Sequence, residues 1–522
     1  MPKKQRILYG AAILTASTIM TRLVGLVFRI YLSNKIGAQG MGLFQIIFSF
    51  YGLTLTFATS GISTAVSRLV AEENALNNPS GMKKIMSTSM MMAFIMSSIV
   101  AVIVFIFAEP FSVHILKDQR TQLSMYAFAP SLVFVSISAA IKGYFYGIND
   151  VAKPASSEFV EQFIRMLFIV FLLGMSVEKG IEYACASTLL GFSIGELASL
   201  LYLGLFFGRS KKKELRIKKS DHIFVGSILK ISMPLAISAY ATSMLRMWEN
   251  IITVSGLEKF GGSYEQAIGT YGVLNGMVIP TLMFPVALLT AISITIVPQV
   301  SEANITGNKQ ELKRTVSRVL QFTSILGILI VSIFLTFPNE LGIAIYNNSE
   351  VGNMLWLLAF ICPFIYIEVV VDGVLNTIGE QMSTLIYNLI DSIMRIVLIY
   401  IFVPKYGFIA FLVTMIISNL LTSGLCFYRL SKVTKLDFKW KEWVLNPAIA
   451  AAATTLNMRV FCYLVLFRHF SLQIALIIGI ALSVAIYFVV NYIVGTFTSK
   501  DIKFLIRSFK LDRLLRLKRK MH

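Results

Sequence analysis

Among the ionisable residues inside apolar stretches of this sequence, ten mark the places where it could do chemistry: Arg22, Arg29, Glu161, Arg165, Arg246, Glu249, Glu368, Asp372, Asp391 and Arg395. A charge at the centre of a bilayer costs ~2.5–3.5 kcal/mol on insertion scales, so such groups default to function or to pairing. Arg22 and Arg29 are seven residues apart, on one stripe of a helix with Gly25 between them. At 1.5 Å per residue, Arg22 lies roughly 20 Å from the start of its apolar run and Arg29 nearer the far surface. Arg29 either snorkels to headgroups or contacts an anion. Arg22 either pairs with an acid on another helix or lines a cavity as an anion contact, and its own helix offers no acid. Arg246 and Glu249, three apart after Pro234, form either a closed ion pair or an arginine that faces the same central space as Arg22.

The pairs Glu161/Arg165 and Asp391/Arg395 are spaced i,i+4, on one helix face each, and suit structural charge pairs. Glu368 and Asp372 are two acids at the same spacing, which suits a proton or cation site coupled to an H+ or Na+ gradient. Glu196 stands alone in its apolar run and reads as neutral or hydrogen-bonded. No metal site or cofactor is expected: the four cysteines and four histidines are scattered, without ligand spacing. No phosphate loop, Walker motif, catalytic triad or H-E-x-x-H is present. With outward loops all under about twenty residues by the ±4-residue span limits below, enzymatic activity is not expected.

The elements that hold these residues follow from composition. The chain has 522 residues, 56% hydrophobic and 14% charged, against ~25% charged for soluble domains. A bilayer core needs ~20 apolar residues per helix. Apolar runs predict fourteen membrane helices, near 7–33, 42–70, 84–108, 121–147, 155–177, 181–207, 223–254, 268–300, 314–337, 351–378, 382–403, 407–428, 443–466 and 471–496. Arg22 and Arg29 interrupt the first run and no small-residue cleavage site follows, so it reads as an uncleaved span. With both termini inside, the inward segments and adjoining helix ends hold 33 Lys and Arg and the outward loops hold 7. The net charge of +20 therefore reports topology, not nucleic acid.

Sliding the chain by 230 residues overlays Glu72 on Glu302, Lys83 on Lys313, Gly143 on Gly373, Glu161 on Asp391 and Arg165 on Arg395. This register maps spans 2–5 onto spans 8–11. A shift of six spans keeps orientation, so two parallel six-helix lobes are expected. The expected organisation is an N-lobe over 1–208, a basic cytoplasmic loop over 209–222, a C-lobe over 223–430, two added helices over 431–497 and a basic amphipathic cytoplasmic tail over 498–522. Loop and tail suit anionic membrane lipid.

Several segments resemble the stage V sporulation protein B family, within the polysaccharide-transporter branch of the multidrug/oligosaccharidyl-lipid/polysaccharide exporter superfamily. They are Thr21-Arg-Leu-Val-Gly25-Leu-Val-Phe-Arg29, Ile36-Gly-Ala-Gln-Gly-Met-Gly-Leu43, Lys142-Gly-Tyr-Phe-Tyr-Gly147, Pro298-Gln-Val-Ser-Glu302, and Asn388-Leu-Ile-Asp-Ser-Ile-Met-Arg395 through Gly407. The resemblance implies an all-α, MATE-like membrane protein of the bacterial cytoplasmic membrane that flips lipid-linked cell-wall or polysaccharide precursors, spore cortex peptidoglycan among them. The sequence is also similar to MviN-type lipid II flippases, and Arg22 matches an arginine of their first span. The acid and arginine those flippases carry in their second span are missing here, and Leu43 and Leu55 stand near those places.

The leading expectation is a flippase for an undecaprenyl-pyrophosphate-linked glycan, since arginine binds a pyrophosphate by charged, bidentate donation. A multidrug/cation antiporter of the same fold is the first alternative, although it should carry carboxylates in its first span. The second is a non-transporting scaffold that recruits wall-synthesis proteins, which would need no charge at membrane depth.

Overall fold

The computed structural model describes residues 3–59, 61–211 and 224–496. Most of the basic loop and all of the 498–522 tail lie outside the described residues. Among the described residues the chain is helical, without strands. The helices are α1 (Lys3–Thr59), α2 (Ile62–Ala75), α3 (Pro79–Ile106), α4 (Ala108–Pro110), α5 (Gln122–Gly147), α6 (Ala152–Ser176), α7 (Ile181–Lys211), α8 (Val225–Lys259), α9 (Tyr264–Gly272) and α10 (Ile279–Met283). They continue as α11 (Val286–Ile305), α12 (Lys309–Thr336), α13 (Pro338–Tyr346), α14 (Ser349–Leu358), α15 (Cys362–Thr377), α16 (Gln381–Thr434), α17 (Asn446–Phe461), α18 (Phe467–His469) and α19 (Leu472–Ile493).

Among the described residues, eleven helical segments are long and apolar enough to cross a membrane. Two of them cover two predicted spans each. α1 is broken at Gly37 (φ 68°) and α16 at Gly407 (φ 62°), backbone conformations that favour glycine. Gly37 lies in the loop predicted between the first two spans and Gly407 at the start of the twelfth. The predicted eighth span, 268–300, is not one helix. It runs through α9, a π-helical stretch from Val273 to Val278, α10 and α11. Pro280 sits in the first turn of α10, and Pro285 caps α11, so the backbone ladder is interrupted where the prolines withhold donors.

The chain divides by its internal contacts into two compact units, Met1–Gly276 and Met277–His522. In the first, small residues let helices close on one another, as membrane packing requires. Gly143 and Gly147 of α5 lie against α2: a Cβ would come 2.6 Å from the Ser63 carbonyl and 2.8 Å from that of Ser67. Gly191 and Gly195 of α7 meet α6 in the same way, at Ile169 and Arg165. Gly42 of α1 and Gly272 of α9 form the tightest crossing. A Cβ on Gly42 would sit 2.0 Å from the Ile268 carbonyl oxygen, and one on Gly272 2.0 Å from that of Ala38. Backbone cannot move aside as a side chain can. Gly42→Val should therefore destabilise the protein by at least ~1–3 kcal/mol, read as a lower melting temperature in detergent, whereas Gly25→Ala, with open space around it, should melt like wild type. Equal melting of the two variants would contradict the crossing.

In the second unit α12 is the central post. It packs on α15 and α17, with Ser332 and Thr455 hydroxyls 2.9 Å apart. The Tyr487 hydroxyl donates to the Ile325 carbonyl at 2.9 Å, and that of Tyr366 to Leu282 at 2.7 Å. Large apolar side chains such as Phe94, Ile99 and Phe105 of α3 are exposed, as a lipid-facing surface should be. Cys185, Cys362, Cys426 and Cys462 are all buried and free.

Candidate functional site

In the first unit four charged side chains from three helices come together, at the α6–α7 crossing that Gly191 and Gly195 permit. Glu161 and Arg165 pair within α6. Arg165 Nη2 also donates to Glu196 Oε1 of α7 at 3.1 Å, and Lys142 Nζ of α5 lies 3.7 Å from Glu161 Oε2. The guanidinium stands 4.2 Å from the Phe192 ring centroid, within van der Waals and cation–π reach. Phe192 in turn belongs to an aromatic cluster with Phe28, Phe44, Phe48 and Tyr51. Two cations and two carboxylates compensate each other, so this quartet is suited to pinning α5, α6 and α7.

In the second unit Asp391 and Arg395 pair within α16 at 3.2 Å. Ser418, on the same helix beyond Gly407, donates to Asp391. Asp372 of α15 accepts from the Cys426 thiol at 3.4 Å and hydrogen-bonds with Asn388. Glu368 lies one turn before Asp372. Each of these places is 230 residues beyond one in the first unit: Asp372 matches Lys142, Asn388 matches Glu158, Asp391 matches Glu161, Arg395 matches Arg165, and Cys426 matches Glu196. Glu368 matches Ser138. The balance changes with the substitutions. Glu368 lies among Asp372, Asp391 and Arg395, so three carboxylates stand here with one arginine.

The structure brings Glu161/Arg165 into one group with Lys142 and Glu196, and Asp391/Arg395 into another with Asp372. Arg22 and Arg246 are members of neither group. Arg22 of α1 and Arg246 of α8 are exposed, and neither forms an ion pair with any described residue. Arg246 is therefore not closed onto Glu249, which is half-buried and engaged elsewhere, as is Arg29. α1 and α8 pack on each other, with Thr56 and Ser243 hydroxyls 3.0 Å apart and the Phe57 and Tyr240 rings at 4.5 Å. Exposed guanidiniums on helices of this apolarity can receive an anion.

The family model for polysaccharide biosynthesis proteins matches residues 7–304, more than half of the chain. The chain belongs to the polysaccharide biosynthesis protein family. A MatE family model also matches residues 238–401. The chain is similar to stage V sporulation protein B of Bacillus subtilis (strain 168), 27% identical over 454 residues, covering 85% of this chain and 88% of that one. It is 24% identical to the lipid II flippase MurJ of the same organism over 377 residues, 66% of this chain and 65% of that one. Among solved structures, lipid II flippase MurJ in an inward closed conformation superposes with a TM-score of 0.66 at 18% identity, covering 92% of this chain and 98% of that one. An inward-facing MATE family transporter gives 0.62 at 13%, over 82% and 100%.

This member of the polysaccharide biosynthesis protein family is thus a multi-pass protein of the bacterial cytoplasmic membrane with a MATE-like fold, as its resemblance implied. Sequence reasoning missed two of its quartet. From sequence Lys142 reads as one of the inward charges, and Glu196 as a lone acid, neutral or hydrogen-bonded, with its partner Arg165 unnamed. The 230-residue offset carried a signal for both, since it sets Lys142 on Asp372 and Glu196 on Cys426, polar positions in apolar helices.

Proposed function

We propose that the protein is an alternating-access flippase that carries an undecaprenyl-pyrophosphate-linked cell-wall or polysaccharide precursor across the membrane, spore cortex peptidoglycan being one destination. The observation that carries this reading is the pair of exposed arginines, Arg22 and Arg246, in membrane helices where no described carboxylate neutralises them. A pyrophosphate supplies the missing anion, and arginine's fork of donors fits it. Arg29 and Glu249 belong to the same binding region. The similarity to stage V sporulation protein B and to a lipid II flippase supports the substrate class. The protein makes and breaks no covalent bond in this reading. Glu368 and Asp372, with Asp391 beside them, form the coupling site for H+ or Na+, and the Lys142–Glu161–Arg165–Glu196 quartet is structural.

Fourteen crossings in two parallel lobes of six plus two, with both termini cytoplasmic, follow if α1 and α16 each cross twice and the broken run from α9 to α11 crosses once. A reporter fused after Arg209 or after Lys500 should then read cytoplasmic, and one near Asn347 external. An external reading at Lys500 would sink this topology. The activity is tested by reconstituting the protein in liposomes and following translocation of polyprenyl-pyrophosphate-linked glycans. Failure to move any of them above protein-free vesicles would overturn the proposal.

A further inference from the structure

One short helix of the first unit is built to move. α9 is nine residues long and opens on a capping box. The Gln266 N–H donates to Ser263 Oγ at 3.3 Å, and the Ser263 N–H donates to Gln266 Oε1 at 3.4 Å. It is therefore a helix in its own right and not the tail of α8. Gly261 (φ 123°) and Gly262 precede it, and the π-helical stretch Val273–Val278 follows. Both are places where a chain bends, the first by glycine's conformational freedom and the second by its irregular ladder. The boundary between the two compact units falls inside that stretch, after Gly276. α9 thus packs with the first unit although its chain continues into the second.

Its support is α1, just beyond the break at Gly37. Between Gly42 and Gly272 the two backbones meet with no room for a side chain, and a Cβ on Gly269 would lie 3.6 Å from Gln39 Cγ. Such a crossing can part without side chains having to unlace. The α1 side of it is held by α7, where the Cys185 thiol donates to the Gly40 carbonyl at 3.6 Å.

One charged residue fastens the start of α9. Asp118 is 6% exposed and accepts from Arg120 Nε at 3.0 Å on one oxygen and from Nη2 at 2.7 Å on the other. This bidentate pair sets the guanidinium 6.0 Å from the ring centroid of Tyr264, the first residue of α9, at the outer limit of cation–π attraction. The Tyr264 hydroxyl is buried beside Asp118 and completes no hydrogen bond among the described residues. A buried hydroxyl without a partner disfavours the docked arrangement. The same side chain thus carries one attraction that holds α9 down and one cost that favours its release.

We propose that α9 is a releasable latch: docked on α1 and held by Arg120 it closes this end of the first unit, and it lifts about Gly261–Gly262 and Val273–Val278 to let cargo pass. Arg120 is a positioning residue, oriented by Asp118. Along α1 the crossing follows Arg22 and Arg29, so a headgroup held there must pass it to leave at this end. The inference rests on the alternating-access reading above, whose topology puts this end outside.

A disulfide lock tests it, in the full chain reconstituted in liposomes. Gln39→Cys with Gly269→Cys places two thiols within bridging reach. Mild oxidation should link them and stop translocation of a polyprenyl-pyrophosphate-linked glycan, and reductant should restore it. Each single-cysteine variant should be indifferent to the oxidant. Translocation that continues in the cross-linked protein would overturn the proposal. Undocking is also read without transport, by amide hydrogen exchange across 264–272, because a nine-residue helix off its support frays. Arg120→Gln should speed that exchange roughly two- to five-fold and leave α3 unchanged, and equal exchange in α9 would refute the latch. This second measurement still decides should the double-cysteine variant not fold. A chain that moves no lipid before oxidation would refute the flippase reading alone, and exchange would then judge the latch.

Discussion

Arg22→Ala and Arg246→Ala should each abolish translocation of a pyrophosphate-linked lipid while the protein still inserts in full amount. An arginine at membrane depth costs ~2.5–3.5 kcal/mol on insertion, and neither side chain recovers that cost through a described ion pair. Alanine should therefore make insertion easier. A charge-assisted contact to the headgroup is worth ~1.5–3 kcal/mol, so its loss should weaken binding roughly ten- to a hundred-fold. Arg→Lys should restore only part, because an ammonium keeps the charge and loses the planar fork. Glu249→Gln should be tolerated by comparison, since Arg246 makes no ion pair with it. Wild-type flipping by both alanine variants at normal protein levels would end the anionic-lipid reading. Damage from Glu249→Gln equal to that from Arg246→Ala would mean the two residues act as a pair.

Arg165→Ala should cost stability rather than selectivity, and more of it than substitution of the cavity arginines. The side chain is 11% exposed and holds Glu161 and Glu196 at once. Removing one partner of a buried ion pair costs ~3–5 kcal/mol because the other charge is stranded, and here two carboxylates would be left with Lys142 alone. A loss of that size should appear as a markedly lower melting temperature and a poor yield. The same argument predicts rescue. Neutralising the stranded acids with Glu161→Gln and Glu196→Gln in the Arg165→Ala background should recover part of the loss, since buried neutral amides cost less than buried charges. A single variant that melts like wild type, or a triple variant no better than the single, would show that the quartet does not pin these helices.

The quartet also marks how far the sequence could be read. Glu161/Arg165 and Asp391/Arg395 were visible because i,i+4 spacing puts two residues on one face whatever the rest of the protein does. Lys142 and Glu196 join the first pair across helix boundaries, Glu196 through the α6–α7 crossing set by Gly191 and Gly195. Spacing along one helix says nothing of such partners. The membrane runs were legible because each must be apolar for about twenty residues. The interruption of the 268–300 run was less so. Pro280 and Pro285 mark where backbone donors are lost, but the π-helical stretch from Val273 to Val278 has no such marker.

The burial of all four cysteines gives this protein a practical property. A thiol enclosed by packed helices is out of reach of water-soluble maleimides, so the natural protein should stay dark under such labelling. A single cysteine introduced at Arg209, near Asn347 or at Arg314 would then be the only reactive position, without first replacing the native four and losing the Cys426–Asp372 contact. Sidedness could be read on the intact chain, in whole cells, by fluorescence at one chosen residue.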